Sequence, residues 1–169
     1  MIELLEFKKD DFTRLISWIG NPKLLIQFAG TCFRFPLDEK QLIDHIKDTN
    51  RYSFKARWIE KDVIIGHAEI YHYEEDKGLI GRVIIGEQNL RGKGMGEQLL
   101  IELCKKGFNE LNLKQLHLNV YEWNEAAIHC YRKIGFSAIP FKKQNTIYKG
   151  EKWNVIRMKL EKYDFIGNL

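Results

Sequence analysis

From Ile2 to Phe7 apolar and polar side chains loosely alternate, the period of a half-buried strand. The period then changes. Phe12, Leu15, Ile16 and Ile19 recur at helical spacing behind Asp10-Asp11, which predicts a capped helix running to Ile19. Asn21-Pro22 punctuates the chain, Lys23 to Phe28 reads as a short helical turn, and Gly30 to Pro36 as an irregular, aromatic-rich connection. Asp38 opens another helix, with Leu42, Ile43 and Ile46 apolar. Strands then dominate. Tyr52 to Glu60 alternates, Lys61-Asp62 turns, and Val63 to Tyr73 pairs back as a hairpin. Glu75 to Gly78 turns again into Leu79 to Ile85, completing an antiparallel meander. A helix-periodic segment from Glu97 to Leu111 follows, then a strand from Gln115 to Tyr121 and a helix from Glu125 to Ile134. Strands from Phe136 to Ile147 and from Lys152 to Leu160 end the pattern. The order belongs to the α+β class, with one right-handed crossover around the Glu97 helix.

The join between Ile85 and Glu97 carries the most telling chemistry. Arg91-Gly92-Lys93-Gly94-Met95-Gly96 sits between an apolar strand end and a helix start. Glycine removes the Cβ that would keep an anion away from backbone N–H groups, and the helix dipole favours negative charge. A phosphate or pyrophosphate on the N–H groups of Gly92 to Glu97 is the ligand such a turn fits. The plainer alternative is that these glycines only turn the chain. Two nucleotide loops are excluded. A P-loop needs Gly-x-x-x-x-Gly-Lys followed by Ser or Thr, which is absent. A Rossmann turn needs Gly-x-Gly-x-x-Gly and an acidic residue ending the next strand, whereas here the glycines alternate and that strand ends in aromatics.

A second segment decides between these readings. Asn124-x-x-Ala127-x-x-x-Tyr131-x-x-x-Gly135-Phe136 follows Arg91-x-x-Gly94-x-Gly96 at about one strand's separation. The pair resembles the GNAT superfamily of acyl-CoA-dependent N-acetyltransferases and matches its two motifs at every defined position. The opening Leu15-x-x-Trp18-Ile19 is similar to the ribosomal-protein and polyamine branches of that superfamily. The resemblance implies a three-layer α/β/α fold. Its central sheet is mixed and mostly antiparallel, and it is splayed between strands 4 and 5, where the pantetheine arm of acetyl-CoA enters. It also implies a cofactor site made of Ile84, Ile85 and Gly86 at the strand end, Arg91, Gly92, Lys93, Gly94, Met95, Gly96 and Glu97 in the turn, and Asn124 on the later helix.

Asn124 and Tyr131 stand about two helical turns apart and project from one face, with the small Ala127 between them. By resemblance, Asn124 holds the pantetheine arm and Tyr131 gives a proton to the leaving thiolate. The residues alone also allow Asn124 to be only a helix cap and Tyr131 only core. Cys130 points about 100° away from Tyr131 and reads as core. The base that takes the ammonium proton is harder to place. Some ribosomal-protein alanine acetyltransferases carry a glutamate five residues before the motif asparagine, where this chain has Asn119. Glu69, on the Val63–Tyr73 strand, is the first candidate instead. His67 shares its face at strand spacing, and Glu122 and His72 are alternatives. An aromatic set of Trp18, Phe28, Phe33, Phe35 and Trp58 with Arg34 lines up for the acceptor side or for a small core.

Composition narrows the rest. With 169 residues, 44% of them hydrophobic and 30% charged, residues 1–169 are expected to form a single domain with a packed core. Cys32, Cys104 and Cys130 are too few and too scattered for a disulfide framework or a zinc site, which points to a reducing cytoplasm and to no metal. Apolar stretches are short of a membrane span, and Met1 to Glu6 does not read as a signal peptide. The net charge of +4 is spread along the chain. Its densest cluster, Arg132-Lys133 with Lys142-Lys143, reads as a solvated face rather than a nucleic-acid site. The expectation is therefore an acetyl-CoA-dependent N-acetyltransferase acting on a small-molecule amine or a peptide amino terminus. Its partners are acetyl-CoA and the amine, with no nucleic acid and no membrane, in a monomer or homodimer. The alternative is a non-catalytic acyl-CoA-binding sensor or partner subunit.

Overall fold

The computed structural model describes residues 1–140 and 144–166. Strand β1 (Ile2–Glu6) opens the chain. Asp10-Asp11 does not cap the first helix. Residues Lys9–Asp11 form a 3-10 turn, and the Asp11 carboxylate accepts from the Lys8 N–H at 3.0 Å and pairs with Lys55 and Arg14. Helix α1 (Phe12–Trp18) follows. Asn21-Pro22 proves to be a helix start rather than a break. The Asn21 side chain accepts from the Leu24 N–H at 2.8 Å and Pro22 occupies the first turn, so the expected short turn is a full helix, α2 (Pro22–Ala29). Asp38 caps α3 (Glu39–Ile46) as anticipated.

Strands β2 (Arg51–Trp58), β3 (Val63–Glu74) and β4 (Lys77–Ile85) form the expected meander. Helix α4 (Met95–Lys105) runs on as a π-helical segment, Lys106–Glu110. Strand β5 (Gln115–Tyr121) and helix α5 (Glu125–Ile134) fall where the pattern put them. The expected Phe136–Ile147 strand is instead two pieces, β6 (Ser137–Ala138) and β7 (Gln144–Tyr148), parted around Pro140. Its middle, with Lys142 and Lys143, lies outside the described residues. Strand β8 (Glu151–Glu161) pairs with β5, β6 and β7.

The sheet order is β1-β2-β3-β4-β5-β8-β6, with β7 on β8, and every pairing is antiparallel except β4 with β5. Two apolar cores flank it. One gathers Ile65, Ile70, Leu99, Leu103, Phe108 and Met158 under α4 and α5. The other gathers Phe12, Leu15, Leu25, Phe28, Leu42 and Ile84 under α1, α2 and α3. This is the three-layer mixed-sheet fold, and one feature of it makes the site. Strands β4 and β5 pair only from Lys77↔Gln115 to Ile80↔Leu118 and then separate.

Candidate active site

Where the two strands part, β4 carries a bulge. Opposite β3, His67 pairs with Ile84 and Glu69 with Gly81, so Arg82 and Val83 together face Ala68. Arg82, in this bulge, takes the left-handed conformation, φ 50°. A bulge frees backbone groups from the ladder and re-aims side chains. Here it lies on the wall of a cavity of ≈ 850 Å³ that fills the splay.

Of the residues anticipated for the cofactor, Ile84, Ile85, Arg91, Gly92, Gly96 and Asn124 line this cavity, and Tyr131 lines it with them. Gly86, Lys93, Gly94, Met95 and Glu97 are not among its lining residues. Gly86 has a packing reason instead. A Cβ there would meet the Trp18 indole at 2.0 Å, and its N–H already donates to the Ile65 carbonyl. The Glu97 carboxylate accepts from Lys133 at 2.8 Å, which ties α4 to α5. Gly94 adopts φ 80° at the head of α4, so it turns the chain into the helix whose first N–H groups lack intrahelical partners. Arg91 holds this turn to the strand by donating its Nε to the Ile85 carbonyl at 2.9 Å. No atom lies within 4 Å of a Cβ built on Gly96. The cradle is thus open, with N–H groups at its rim and cationic side chains beside it.

Asn124 is a true cap. Its Oδ1 accepts from the Ala127 N–H at 3.3 Å while the side chain borders the cavity. That leaves its NH₂ group for a ligand carbonyl. Tyr131 packs its ring edge on Phe136. Burial, with a smaller push from the neighbouring Cys130, moves its pKa up to about 12, so the hydroxyl is protonated throughout the neutral range.

Glu69 is elsewhere. It is 3% exposed, does not line the cavity, and is held by cationic partners. His45 Nε2 lies 3.0 Å and Arg51 3.1 Å from one carboxylate oxygen, His67 Nε2 3.3 Å from the other, and Arg82 Nε at 3.5 Å. Burial alone would raise its pKa. Hydrogen bonds from His45 and His67 and the nearby charges outweigh that and hold the carboxyl far below the usual carboxylate range. Sequence reasoning paired His67 with Glu69 but missed His45, Arg51 and Arg82. Of these only Arg82 lines the cavity, directly over the buried carboxylate. Among the described residues, no group of three or more His, Cys, Asp and Glu side chains is arranged to hold a metal ion.

A fold with two helical layers, a sheet splayed after four paired positions and a glycine turn at the splay defines a class. Residues 23–136 match the acetyltransferase (GNAT) family, and the chain belongs to that family. It is an acetyl-CoA-dependent N-acetyltransferase, which transfers an acetyl group to a primary amine. The chain is 31% identical over 168 residues to the spermidine N(1)-acetyltransferase of Escherichia coli K12, covering 98% of this chain and 89% of that one. The fold is also that of the Vibrio cholerae spermidine N-acetyltransferase solved with CoA and spermine, at TM-score 0.82, 20% identity and 96% coverage of both chains. A dodecameric structure of the V. cholerae enzyme matches at TM-score 0.78 and 20% identity, covering 99% of this chain and 97% of that one.

Proposed function

We propose that the splayed cavity is the transfer centre, where a neutral amine attacks the acetyl-CoA thioester directly and Tyr131 protonates the departing thiolate. One observation carries this. Asn124 and Tyr131 project from α5 into the same cavity, opposite the bulge of β4. In this reading the pyrophosphate rests on the N–H groups of Gly92 to Glu97, and Asn124 grips the pantetheine arm with the amide group its cap leaves over. Backbone N–H groups freed at Arg82 and Val83 meet the oxyanion. Tyr131 acts as general acid. Glu69 positions the wall rather than taking the proton, because a carboxylate so far below the neutral range is a weak base.

The acceptor in this reading is a primary amine with no further positive charge, such as an amino acid or a peptide amino terminus. Among the described residues the charged side chains lining the cavity are Arg82 and Arg91. A polycation would meet like charge there, and no carboxylate is among the described lining residues to receive it. A thiol-release assay with acetyl-CoA across polyamines, monoamines, amino acids and peptides tests this. Turnover is expected with the less cationic amines at the higher kcat/KM, and a clear preference for spermidine would overturn the acceptor assignment. The free, unpaired cysteines support a reducing cytoplasm as the setting, for a chain acting as monomer or homodimer.

A further inference from the structure

We propose that Cys32, His45 and Glu69 form a second reactive site, a Cys–His–carboxylate nucleophile beside the cavity, which takes an acetyl group from acetyl-CoA onto its own sulfur. The geometry is that of a nucleophile, a base and the group that orients the base. Cys32 Sγ lies 3.7 Å from His45 Nδ1, and the opposite ring nitrogen, Nε2, lies 3.0 and 3.1 Å from the two oxygens of Glu69. The base and its anchor are built in. The side chains of His45 and Glu69 are 7% and 3% exposed, and Phe33 stacks edge-on against the imidazole at 4.8 Å. The nucleophile is open, because Cys32 is exposed. Cys32 is not itself a lining residue; its place beside the cavity follows from its chain neighbours Gly30 and Thr31, which line it, as does Arg82, whose charge acts on the thiol.

His45 from α3 contacts the sulfur and the Arg82 charge from β4 acts on it, and behind His45 stand Glu69 of β3 and Arg51 of β2, with His67 on the far carboxylate oxygen. Burial pushes the Cys32 thiol up, but the hydrogen bond from His45 and the Arg82 charge bring it down to about 7, close to ambient pH. The other two thiols move the opposite way. Cys104 is fully buried and raised by desolvation, and Cys130 is raised by burial and by Glu97.

The proposed step balances without an oxidant. His45 takes the thiol proton, the Cys32 thiolate attacks the thioester carbonyl carbon, and a new carbon–sulfur bond forms. The tetrahedral oxyanion collapses, the carbon–sulfur bond to CoA breaks, and CoA leaves as a thiol with the proton His45 held. One thioester replaces another, so the acetyl group can return to CoA.

The proposal rests on acetyl-CoA binding in the cavity. Its test is intact-mass measurement and peptide mapping after incubation of the full chain with acetyl-CoA and no amine. One hydroxylamine-labile acetyl group on Cys32 is expected, removed by a chase of CoA, absent in Cys32→Ser, and formed about 10²-fold or more slowly in His45→Gln. Iodoacetamide alkylation reads the nucleophile without acetyl-CoA. Its rate for Cys32 should be half-maximal near pH 7 and shift to about pH 8.5, the ordinary thiol value, in Glu69→Gln. An unacetylated Cys32, acetylation at Cys130 instead, or an alkylation midpoint at the ordinary thiol value overturns the proposal. Calorimetric binding of acetyl-CoA to the same preparation tells whether the cavity assignment falls with it.

Discussion

In the proposed mechanism Tyr131 does one thing, which is to protonate the leaving thiolate. A phenol held at about 12 stays protonated at neutral pH, so its O–H is there to hydrogen-bond and protonate the sulfur as negative charge builds on it while the carbon–sulfur bond breaks. Tyr131→Phe keeps the ring against Phe136 and removes the hydroxyl. The expected result is a kcat lower by about 10²–10⁴-fold with KM for acetyl-CoA almost unchanged, because the lost interaction strengthens in the transition state. A kcat near wild type, measured where chemistry limits the rate, would make this tyrosine core only. Tyr131 and Asn124 were legible in the sequence because one helix sets their relation, so counting along the chain is enough. Glu69 was found as a residue, and in the proposed mechanism it has a positioning role in place of the base role expected from the sequence. Its partners His45, Arg51 and Arg82 come from three other elements, and no local spacing announces that four side chains will meet. What they do to the carboxylate, turning a candidate base into a fixed anion, is visible only once the sheet is assembled.

At the scale of elements, the glycine turn shows what pattern can and cannot specify. The strand, the turn and the helix after it were all readable, since Gly94 at φ 80° answers a local backbone demand. The bulge at Arg82 was not, because an extra residue on β4 has meaning only against the partner strand β3. The break between β6 and β7 was missed because Pro140, which has no N–H to give a ladder, fell inside the one strand expected there. Within α4, Gly96 sits at a position where glycine costs the helix stability and nothing in the protein fills the space over it. Gly96→Ala should therefore raise stability to denaturant by about 0.5–1 kcal/mol. It should also raise KM for acetyl-CoA, since the added methyl enters the cavity lining. Stability rising with acetyl-CoA affinity unaltered would show that the cofactor does not run over this turn.

For the whole molecule, the Glu69 cluster joins the two halves of the fold. It draws His45 from α3, Arg51 from β2 and Arg82 from β4 onto one carboxylate of β3, between the helical layer of α1–α3 and the sheet. The three-layer order was legible because hydrophobic period and turn chemistry recur in every element. This stitching was not, because it depends on which charged side chains end up buried. It makes stability depend on pH in a definite direction. The folded-state pKa of Glu69 is depressed, so its contribution is fully present above the unfolded value of about 4.3 and is lost as pH falls below it. Asp11, also depressed by its bonds to Lys8, Lys55 and Arg14 despite burial, adds to the same acid limb. His45 is raised by its bonds to Cys32 and Glu69 against its burial, so its contribution is present below about 6.5 and fades as pH climbs through its folded value. Glu69→Gln should lower stability at neutral pH by about 3–5 kcal/mol, because it strands buried cations. It should also flatten the loss of stability below about pH 4.3, since one titrating group is gone. Denaturant unfolding of both proteins across pH 3 to 8 measures the two effects together. Curves that stay parallel through the acid range would mean that the carboxylate carries no pH-dependent stability, and that the cations around it find water instead.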